Sequence, residues 1–275
     1  MGNPYVISAE LDLATADLGQ IVKKDSVEGF RESLDADLRA MGKETLWVAS
    51  STIQNGLELA IAKTNLPVVS LDDKYVSSAA QYLGISRGVD PLLNDDGYVA
   101  RRGYPCIEEQ LKGVLSLGKE VMLVDDVLFS GEMVAWLADS LRPYGVKIGA
   151  VVVGIAIQEG IDKLKLEGME VSASEVFSEV EDEICERDFA VVPGSGRRIN
   201  ALASNALYFD KDNGKPEQWA SITAGVADSF CVNSLRRSVD ILQPAVPMQA
   251  LGKFLGYGTN GNAVEQIVRR LGEVE

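Results

Sequence analysis

The chain has 275 residues, of which 46% are apolar, and its formal net charge is −15. This length and composition allow a large hydrophobic core and predict an α/β core with an added segment rather than a disordered chain. Nucleic acid and anionic membranes are poor partners for so acidic a chain, because neutralising phosphates requires clustered Lys and Arg. An anionic small ligand would need a local basic patch or a divalent metal.

The reactive residue types limit the chemistry further. Cys106, Cys185 and Cys231 lie far apart without CxxC spacing, which predicts neither disulfides nor a zinc site and fits a reducing compartment. The chain has no histidine, so His-dependent catalysis and His-based metal sites are excluded, and carboxylates, Lys, Tyr, backbone amides or an oxygen-held metal remain. Because the sequence shows no signal peptide and no long apolar run, we expect a soluble, cytoplasmic protein.

The first part of the chain alternates between helix and strand patterns. Residues 1–44 have helical spacing in part and are predicted to be a helical lead-in. A strand is predicted at 45–50, a helix at 55–65 and a second strand at 66–72. Strand, helix and strand within about thirty residues predict a βαβ unit, and hence a parallel sheet. Residues 73–106 are polar, rich in Gly and weakly periodic, which is typical of a functional loop or an insertion.

The same alternation continues through the middle of the chain. A helix is predicted at 106–118, followed by the strand "EVMLVDDV" and the helix "EMVAWLADSLRPYG". The next strand, at 146–157, is apolar along its whole length, as central strands of a parallel sheet are. Residues 1–200 are therefore predicted to form an α/β domain with an open, mostly parallel sheet and flanking helices. Helical patterns take over afterwards and predict a helical C-terminal extension at 201–275, through which two copies could form a homodimer.

Two adjacent aspartates, Asp125 and Asp126, follow the apolar strand residues 121–124. This order places the carboxylates at the C-terminal edge of a parallel sheet, where open α/β folds bind ligands. The turn at Ser130 and Gly131 then offers backbone N–H groups at the start of a helix, which favour an anion. A ligand with a sugar diol and a 5′-phosphate would satisfy both groups. The alternative is a strand-end turn with solvated carboxylates, in which Ser130 is only an N-cap.

The segment "VMLVDDVLFSGEMV" resembles the ribosyl-phosphate binding motif of type I phosphoribosyltransferases. That motif has apolar strand residues, an acidic pair, two apolar residues, one variable residue and Thr/Ser-Gly-x-Thr/Ser. The resemblance implies that Asp125 and Asp126 are the catalytic pair, which holds the ribose hydroxyls of phosphoribosyl pyrophosphate (PRPP) and meets Mg²⁺ indirectly, through the ligand. It also implies a 5′-phosphate loop made of Val127, Leu128, Phe129, Ser130, Gly131, Glu132 and Met133.

A second stretch, "TLWVASSTIQNGLELAIAKTNLPVVSLD", is similar to the first strand, pyrophosphate loop and helix of the same family. The resemblance implies that Ser50, Ser51 and Thr52 lie in the pyrophosphate loop. It also places residues 73–106 where the family carries its flexible catalytic loop.

Charged residues in three further segments are candidates for ligand contact, namely Arg101 and Arg102, Arg187 and Asp188, and Arg197 and Arg198. The first pair lies in a loop that could close over a pyrophosphate. The second lies near where the family's hood contacts the base, and the third follows a Gly-rich turn that could hold an anion. Solvated surface charges and an ordinary turn are the alternative interpretations.

Two residues depart from the motif and leave the function open. Met133 stands where the family usually has a phosphate-binding Thr or Ser, and Glu132 adds a carboxylate beside the phosphate. Our first prediction is an enzyme that uses Mg²⁺ to transfer a phosphoribosyl group between pyrophosphate and a nitrogenous base. The alternatives are a regulator that senses PRPP or a nucleotide 5′-monophosphate without turnover, and an interaction domain with a vestigial site.

Overall fold

The computed structural model describes residues 2–16, 24–90, 92–101, 103–190, 208 and 214–242. The chain divides into two compact units. The first unit comprises residues 1–47, 87–97 and 181–275, and the second comprises residues 48–86 and 98–180. Among the described residues, no helix combines the length and the apolar character that crossing a membrane requires.

The described strands are β1 (Tyr5–Ala9), β2 (Thr45–Ala49), β3 (Val68–Ser70), β4 (Gln81–Tyr82), β5 (Ile85–Val89), β6 (Asp95–Ala100), β7 (Glu120–Leu128), β8 (Lys147–Ile157), β9 (Glu170–Phe177) and β10 (Asp182–Cys185). The described α-helices are α1 (Leu11–Ala16), α2 (Lys24–Ala40), α3 (Ser50–Ile61), α4 (Ile107–Leu115), α5 (Glu132–Leu141), α6 (Gln158–Leu166), α7 (Pro216–Trp219) and α8 (Ala227–Leu242). Short 3-10 turns lie at Arg142–Tyr144, Glu186–Phe189 and Ala224–Val226.

The second unit is built on a five-stranded sheet with the strand order β4-β3-β7-β8-β9. All four neighbouring pairs are parallel. The central strands β7 and β8 read as nearly continuous apolar runs because helices cover both faces of a parallel sheet. The predicted α/β class with an open parallel sheet and flanking helices is therefore confirmed. Its core includes Val69, Leu123, Val134, Leu137, Val151, Val153 and Leu164.

Glycines allow α3 to lie directly on this sheet. A Cβ added at Gly56 of α3 would come within 1.8 Å of the Ser174 hydroxyl oxygen on β9. A Cβ added at Gly154 of β8 would come within 2.3 Å of a methyl carbon of Ile53. Neither contact leaves room for a larger residue, so the two glycines fix how closely the helix approaches the strands.

The first unit contains a three-stranded sheet with the order β10-β1-β2, in which β1 and β10 run parallel. Every residue of β1 is buried. The Tyr5 hydroxyl donates a hydrogen bond to the Ala220 carbonyl oxygen over 2.7 Å, which joins this sheet to the segment before α8. The ring of Phe189 meets that of Phe230 edge to face, with centroids 5.7 Å apart. Such pairs stabilise a core beyond the area that they bury.

One prediction about the order of elements was incomplete, and two were wrong. The lead-in at 1–44 contains a buried strand, β1, besides its helices. The predicted βαβ unit does not form, because β2 belongs to the three-stranded sheet and β3 to the five-stranded one. The stretch 73–106 is not irregular throughout, since it contains β4, β5 and β6. The sequence of a short strand indicates which of its residues are buried. It does not indicate which neighbouring strand it will pair with.

The C-terminal extension is described only in part. Helices α7 and α8 occupy Pro216–Trp219 and Ala227–Leu242, and α8 coincides with the predicted helix "ADSFCVNSLRRSVDIL". The helices predicted after residue 242 lie outside the described residues. The domain boundary predicted at residue 200 also lies outside them and stays a prediction.

Candidate functional site

The strand order of the second unit reverses between β3 and β7. From β3 the chain adds β4 on one side, and from β7 it adds β8 and β9 on the other. In open parallel sheets, the crevice beyond the carboxyl ends of the strands at such a reversal is the usual ligand site. The last residue pair between the two strands is Ser70 with Val124. The next residues of β7 are Asp125 and Asp126, so both lie at this reversal.

The aspartate pair lies within β7, as in the predicted strand "EVMLVDDV", and β7 continues one residue further, to Leu128. Both carboxyls are buried, with Asp125 only 4% exposed. The Asp126 N–H donates to Asp125 Oδ1 over 3.0 Å, and the Val127 N–H donates to Asp126 Oδ1 over 2.8 Å. Since β3 has already ended, the carboxyl of Asp125 replaces the missing strand as acceptor for the Asp126 N–H.

Asp126 contributes to a raised pKa of its neighbour Asp125. Burial raises the pKa of Asp125 well above its ordinary value, and the charge of Asp126 and a hydrogen bond between the two carboxyls raise it further. The Arg101 guanidinium acts in the opposite direction, and the Asp72 carboxylate again raises this pKa. Asp125 therefore holds a proton more tightly than an ordinary carboxyl. Carboxyls with a strongly perturbed pKa are typical of functional sites.

Asp72 is a member of this site that the sequence analysis missed. The Ser70 hydroxyl donates to the Asp72 carbonyl oxygen over 2.6 Å, which tightens the turn after β3. The Asp72 carboxylate accepts the N–H groups of Lys74 and Tyr75 over 2.7 and 2.8 Å. The signal was present in the sequence, because "VVSLDD" repeats the pattern of an apolar strand followed by an acidic pair.

Arg101 lies near the aspartates, and its predicted contact with a pyrophosphate stays a prediction. Its effect on the Asp125 pKa places its charge within electrostatic reach of that carboxyl. The backbone fixes its position, because the Arg101 N–H donates to the Gly84 carbonyl oxygen over 2.6 Å. The ring of Tyr104 covers Gly84, where an added Cβ would lie 2.1 Å from the ring. Arg102 lies outside the described residues.

The predicted phosphate loop connects β7 to α5. Gly131 has φ of 75° and is the N-cap of α5, in a left-handed conformation that glycine adopts without strain. The Glu132 N–H lies 3.4 Å from the Ser130 hydroxyl oxygen. The first N–H groups of a helix have no acceptor within the helix, so α5 presents donors here. Phe129 is 40% exposed and Met133 supplies no hydroxyl to an anion at this position.

The predicted pyrophosphate loop is a helix. Ser50, Ser51 and Thr52 form the first turn of α3, which begins directly after β2, whereas the helix was predicted to start at residue 55. The N-cap residue Ala49 makes no side-chain capping hydrogen bond. The first turn therefore offers backbone N–H groups and three hydroxyls. Whether these groups bind a pyrophosphate stays a prediction.

The candidates at 187 and 188 belong to the first unit. Both lie in the 3-10 turn Glu186–Phe189, and Asp188 is buried. The Arg187 guanidinium lies 3.0 Å from the Glu10 carboxylate, and its side chain is largely buried. This ion pair gives Arg187 a structural partner within its own unit. Arg197 and Arg198 lie outside the described residues.

Comparisons with known proteins give only distant likenesses. No protein-family model and no curated protein matches the chain. Among solved structures, TT1426 from Thermus thermophilus is 17% identical, with 46% of this chain and 82% of that chain covered and a TM-score of 0.28. An adenine phosphoribosyltransferase from Thermoanaerobacter pseudethanolicus is 13% identical, with 45% and 77% covered and a TM-score of 0.31. An orotate phosphoribosyltransferase from Aeropyrum pernix is 19% identical, with 54% and 71% covered and a TM-score of 0.24.

Likenesses at these identities and TM-scores carry no argument about this chain. The assignment to the α/β class rests on the parallel strands, their order and the helices beside them. The function has to be argued from the residues at the reversal between β3 and β7.

Proposed function

We propose that the second unit binds PRPP or a nucleoside 5′-monophosphate and, with Mg²⁺, transfers a phosphoribosyl group between pyrophosphate and a nitrogenous base. One observation carries the proposal. At the reversal of strand order, a single strand delivers two buried carboxyls, Asp125 and Asp126, and then leads into a left-handed glycine and a helix N-terminus. This arrangement offers acceptors for a diol beside donors for a phosphate.

The carboxyl pair matches the two adjacent hydroxyls of a ribose. Each ribose hydroxyl can donate one hydrogen bond, and an ionised carboxylate only accepts. Burial and Asp126 raise the pKa of Asp125, so Asp125 holds its proton more tightly than an ordinary carboxyl does. Hydrogen bonds from the ribose hydroxyls would favour its charged form. Binding of the sugar is therefore expected to release this proton.

The loop before α5 matches a phosphate. Backbone N–H groups in the first turn of α5 and the positive end of its dipole favour a negative group near Gly131. The loop provides these donors without the Thr or Ser that would stand at Met133. Losing one hydroxyl donor to a phosphate weakens binding by about 1.5 kcal/mol or more, but does not remove the backbone donors.

The charges at the site explain why a divalent cation is part of the proposal. Asp72, Asp125 and Asp126 are acidic, and Arg101 is the cation that opposes them at Asp125. Carboxylate oxygens and phosphate oxygens are the ligands that Mg²⁺ prefers, so the residues fit this ion, held mainly through the ligand. When bound, Mg²⁺ would neutralise the charge of the leaving pyrophosphate.

In the proposed reaction, the bond between ribose C1 and the pyrophosphate oxygen breaks and a bond from C1 to the base nitrogen forms. Positive charge develops at the sugar in the oxocarbenium-like transition state, and preorganised carboxylates beside the ring stabilise such charge. Asp125 and Asp126 would act by holding and stabilising the sugar. Phe129 cannot act as a base, so the acceptor would have to lose its proton elsewhere.

A regulator that binds the same ligand without turnover is the second candidate. Met133 and Glu132 favour it, because the first removes a phosphate donor and the second adds negative charge at the phosphate position. Both candidates predict ligand binding at Asp125 and Asp126, and they differ only in the release of pyrophosphate.

Thermal unfolding with added ligands tests the proposal. PRPP with Mg²⁺, ribose 5-phosphate and nucleoside monophosphates are titrated into the wild-type protein, Asp125→Asn/Asp126→Asn and, as a control, Asp139→Asn on α5. A ligand that binds only the folded protein raises the midpoint. We expect a shift for wild type and Asp139→Asn that the double variant loses. No shift with any ligand in folded wild-type protein would contradict the proposal, and pyrophosphate release with a panel of bases separates enzyme from regulator.

A further inference from the structure

The loop before α5 packs directly on the first turns of α6. A Cβ added at Gly160 would come within 2.2 Å of the Phe129 carbonyl oxygen. A Cβ added at Gly131 would lie 3.2 Å from both the Gly160 carbonyl oxygen and a side-chain carbon of Leu164. The two backbones touch, and from the last turn of α6 Lys163 extends to the start of α5. The sequence analysis did not consider α6 as part of the site.

Lys163 is the cation that α6 carries at this position. Its Nζ lies 4.0 Å from Glu132 Oε1, at the start of α5. The side chains are 40% and 52% exposed. Exposed ion pairs at this distance contribute almost nothing to stability, because water screens them and ordering two long side chains is unfavourable. Stability of the fold therefore does not explain this pair.

We infer that Lys163 is a phosphate-binding residue of this site, and that Glu132 holds it beside the loop until an anionic ligand binds. The inference rests on the proposed function, since it assumes a phosphate near Gly131. A phosphate there would meet the repulsion of Glu132, and the N–H groups of α5 alone carry only a partial positive charge. A lysine beside Glu132 supplies a full charge and up to three donors on a flexible stem.

The pair also accounts for the two departures from the phosphate-loop motif. Met133 removes a hydroxyl donor and Glu132 adds a negative charge, so the loop alone binds a phosphate less well than the usual motif. Lys163, reaching the loop from another helix, compensates for both. The ligand class that this arrangement favours is a sugar phosphomonoester with two negative charges, rather than an unphosphorylated nucleoside or sugar.

Affinity for ribose 5-phosphate tests this role, measured by calorimetry at fixed salt concentration. We compare the wild type with Lys163→Met and with Lys163→Arg, which keeps the charge. The control is Lys165→Met, an exposed lysine two residues further along α6. Losing one charge-assisted hydrogen bond weakens binding roughly tenfold or more. We expect that loss in Lys163→Met, near-wild-type affinity in Lys163→Arg and Lys165→Met, and unchanged thermal midpoints without ligand.

Glu132→Gln gives a second, opposite readout. Removing this carboxylate releases Lys163 from the ion pair and removes the repulsion, so ribose 5-phosphate is expected to bind more tightly than in the wild type. Equal affinities of wild type and Lys163→Met would overturn the inference and leave the proposed function standing. A wild-type protein that binds no ribose 5-phosphate would overturn the proposed function, and the inference with it.

Discussion

Buried acidic groups are held in different ways in the two units. In the first unit they meet arginines, with Arg31 2.8 Å from Glu186 and Arg187 3.0 Å from Glu10. In the same unit the buried Arg237 lies 2.5 Å from Asp37, which is partly exposed. In the second unit Asp125 and Asp126 face each other, and backbone N–H groups of β7 donate to both. The first arrangement joins distant parts of the chain, whereas the second leaves two carboxyls in mutual repulsion.

This difference contrasts structural ion pairs with a carboxyl pair that we propose to be functional. An ion pair with arginine satisfies a carboxylate and resists removal of either partner. A carboxyl pair in which burial raises the pKa of one member opposes folding in its charged form, and such pairs persist where a ligand uses them. The first unit should therefore lose stability when its charges are removed, and the second unit should lose binding instead.

The largest effect is expected for Arg237→Met. Arg237 is 4% exposed and also donates to Ser234 over 2.7 Å, so its removal breaks a largely buried ion pair and leaves Asp37 with the Asn233 amide. We expect a loss of about 3 kcal/mol in the free energy of unfolding, measured with urea. Arg236→Met, at the neighbouring and less buried position, is the control. Equal losses in the two variants would show that the buried ion pair of Arg237 does not stabilise the first unit.

Gly131→Ala should have the next largest effect. The φ of 75° is unfavourable for alanine, and the added Cβ would crowd the Gly160 carbonyl oxygen. Together these effects should lower the free energy of unfolding by about 2 kcal/mol. Gly145→Ala is the matched control, because Gly145 has the same φ and open space around it. If both variants lose the same stability, the contact between the loop and α6 contributes nothing.

Asp125→Asn should leave stability unchanged or raise it by up to about 1 kcal/mol, while abolishing binding of ribose 5-phosphate. The neutral amide relieves the repulsion with Asp126, but its NH2 group donates where a carboxylate oxygen would accept a hydroxyl hydrogen bond. Urea unfolding and calorimetry of the same preparation test both halves of this prediction. A loss of stability comparable with that of Arg237→Met would place Asp125 among the structural charges.

The smallest effects should appear as opposite dependences on pH. The folded pKa of Asp125 is raised, so its unfavourable contribution develops as pH rises through the ordinary carboxyl pKa towards the raised one, and is absent below the ordinary value. For Asp35, burial acts to raise the pKa, but hydrogen bonds from Thr45, Trp47 and Arg39 lower it overall. The contribution of Asp35 is present above the ordinary carboxyl pKa and is lost as pH falls through the lowered one.

Urea midpoints across this range test these signs. The stability difference between Asp125→Asn and wild type should shrink as pH falls towards about 4, and the cost of Asp35→Asn should shrink below that. Asp139→Asn, on the exposed face of α5, should show neither trend. Relative to wild type, Asp125→Asn should lose its extra stability as pH falls, whereas Asp35→Asn should lose its deficit. Changes of the same sign in the two variants would contradict the assigned pKa shifts.

What could be predicted from the sequence was local. The order of β7, the aspartate pair, the loop and α5 follows from one stretch of chain, because each residue there is positioned by its neighbours. Asp72 could have been found by the same pattern. The partners of β2 and β3 could not, because a strand's sequence does not specify which edge it joins. Arg237 and Asp37 are 200 positions apart, so neither residue alone indicates an ion pair.

Calorimetry of ribose 5-phosphate binding in buffers of different ionisation enthalpy tests the central claim most directly. We expect the wild type to bind and to release protons as it does so, because burial and Asp126 raise the pKa of Asp125 and the ligand's hydroxyls favour its ionised form. Asp125→Asn/Asp126→Asn should neither bind nor release protons. Binding of equal strength in that variant, or no binding by the folded wild type, would contradict a sugar-phosphate site at these carboxyls.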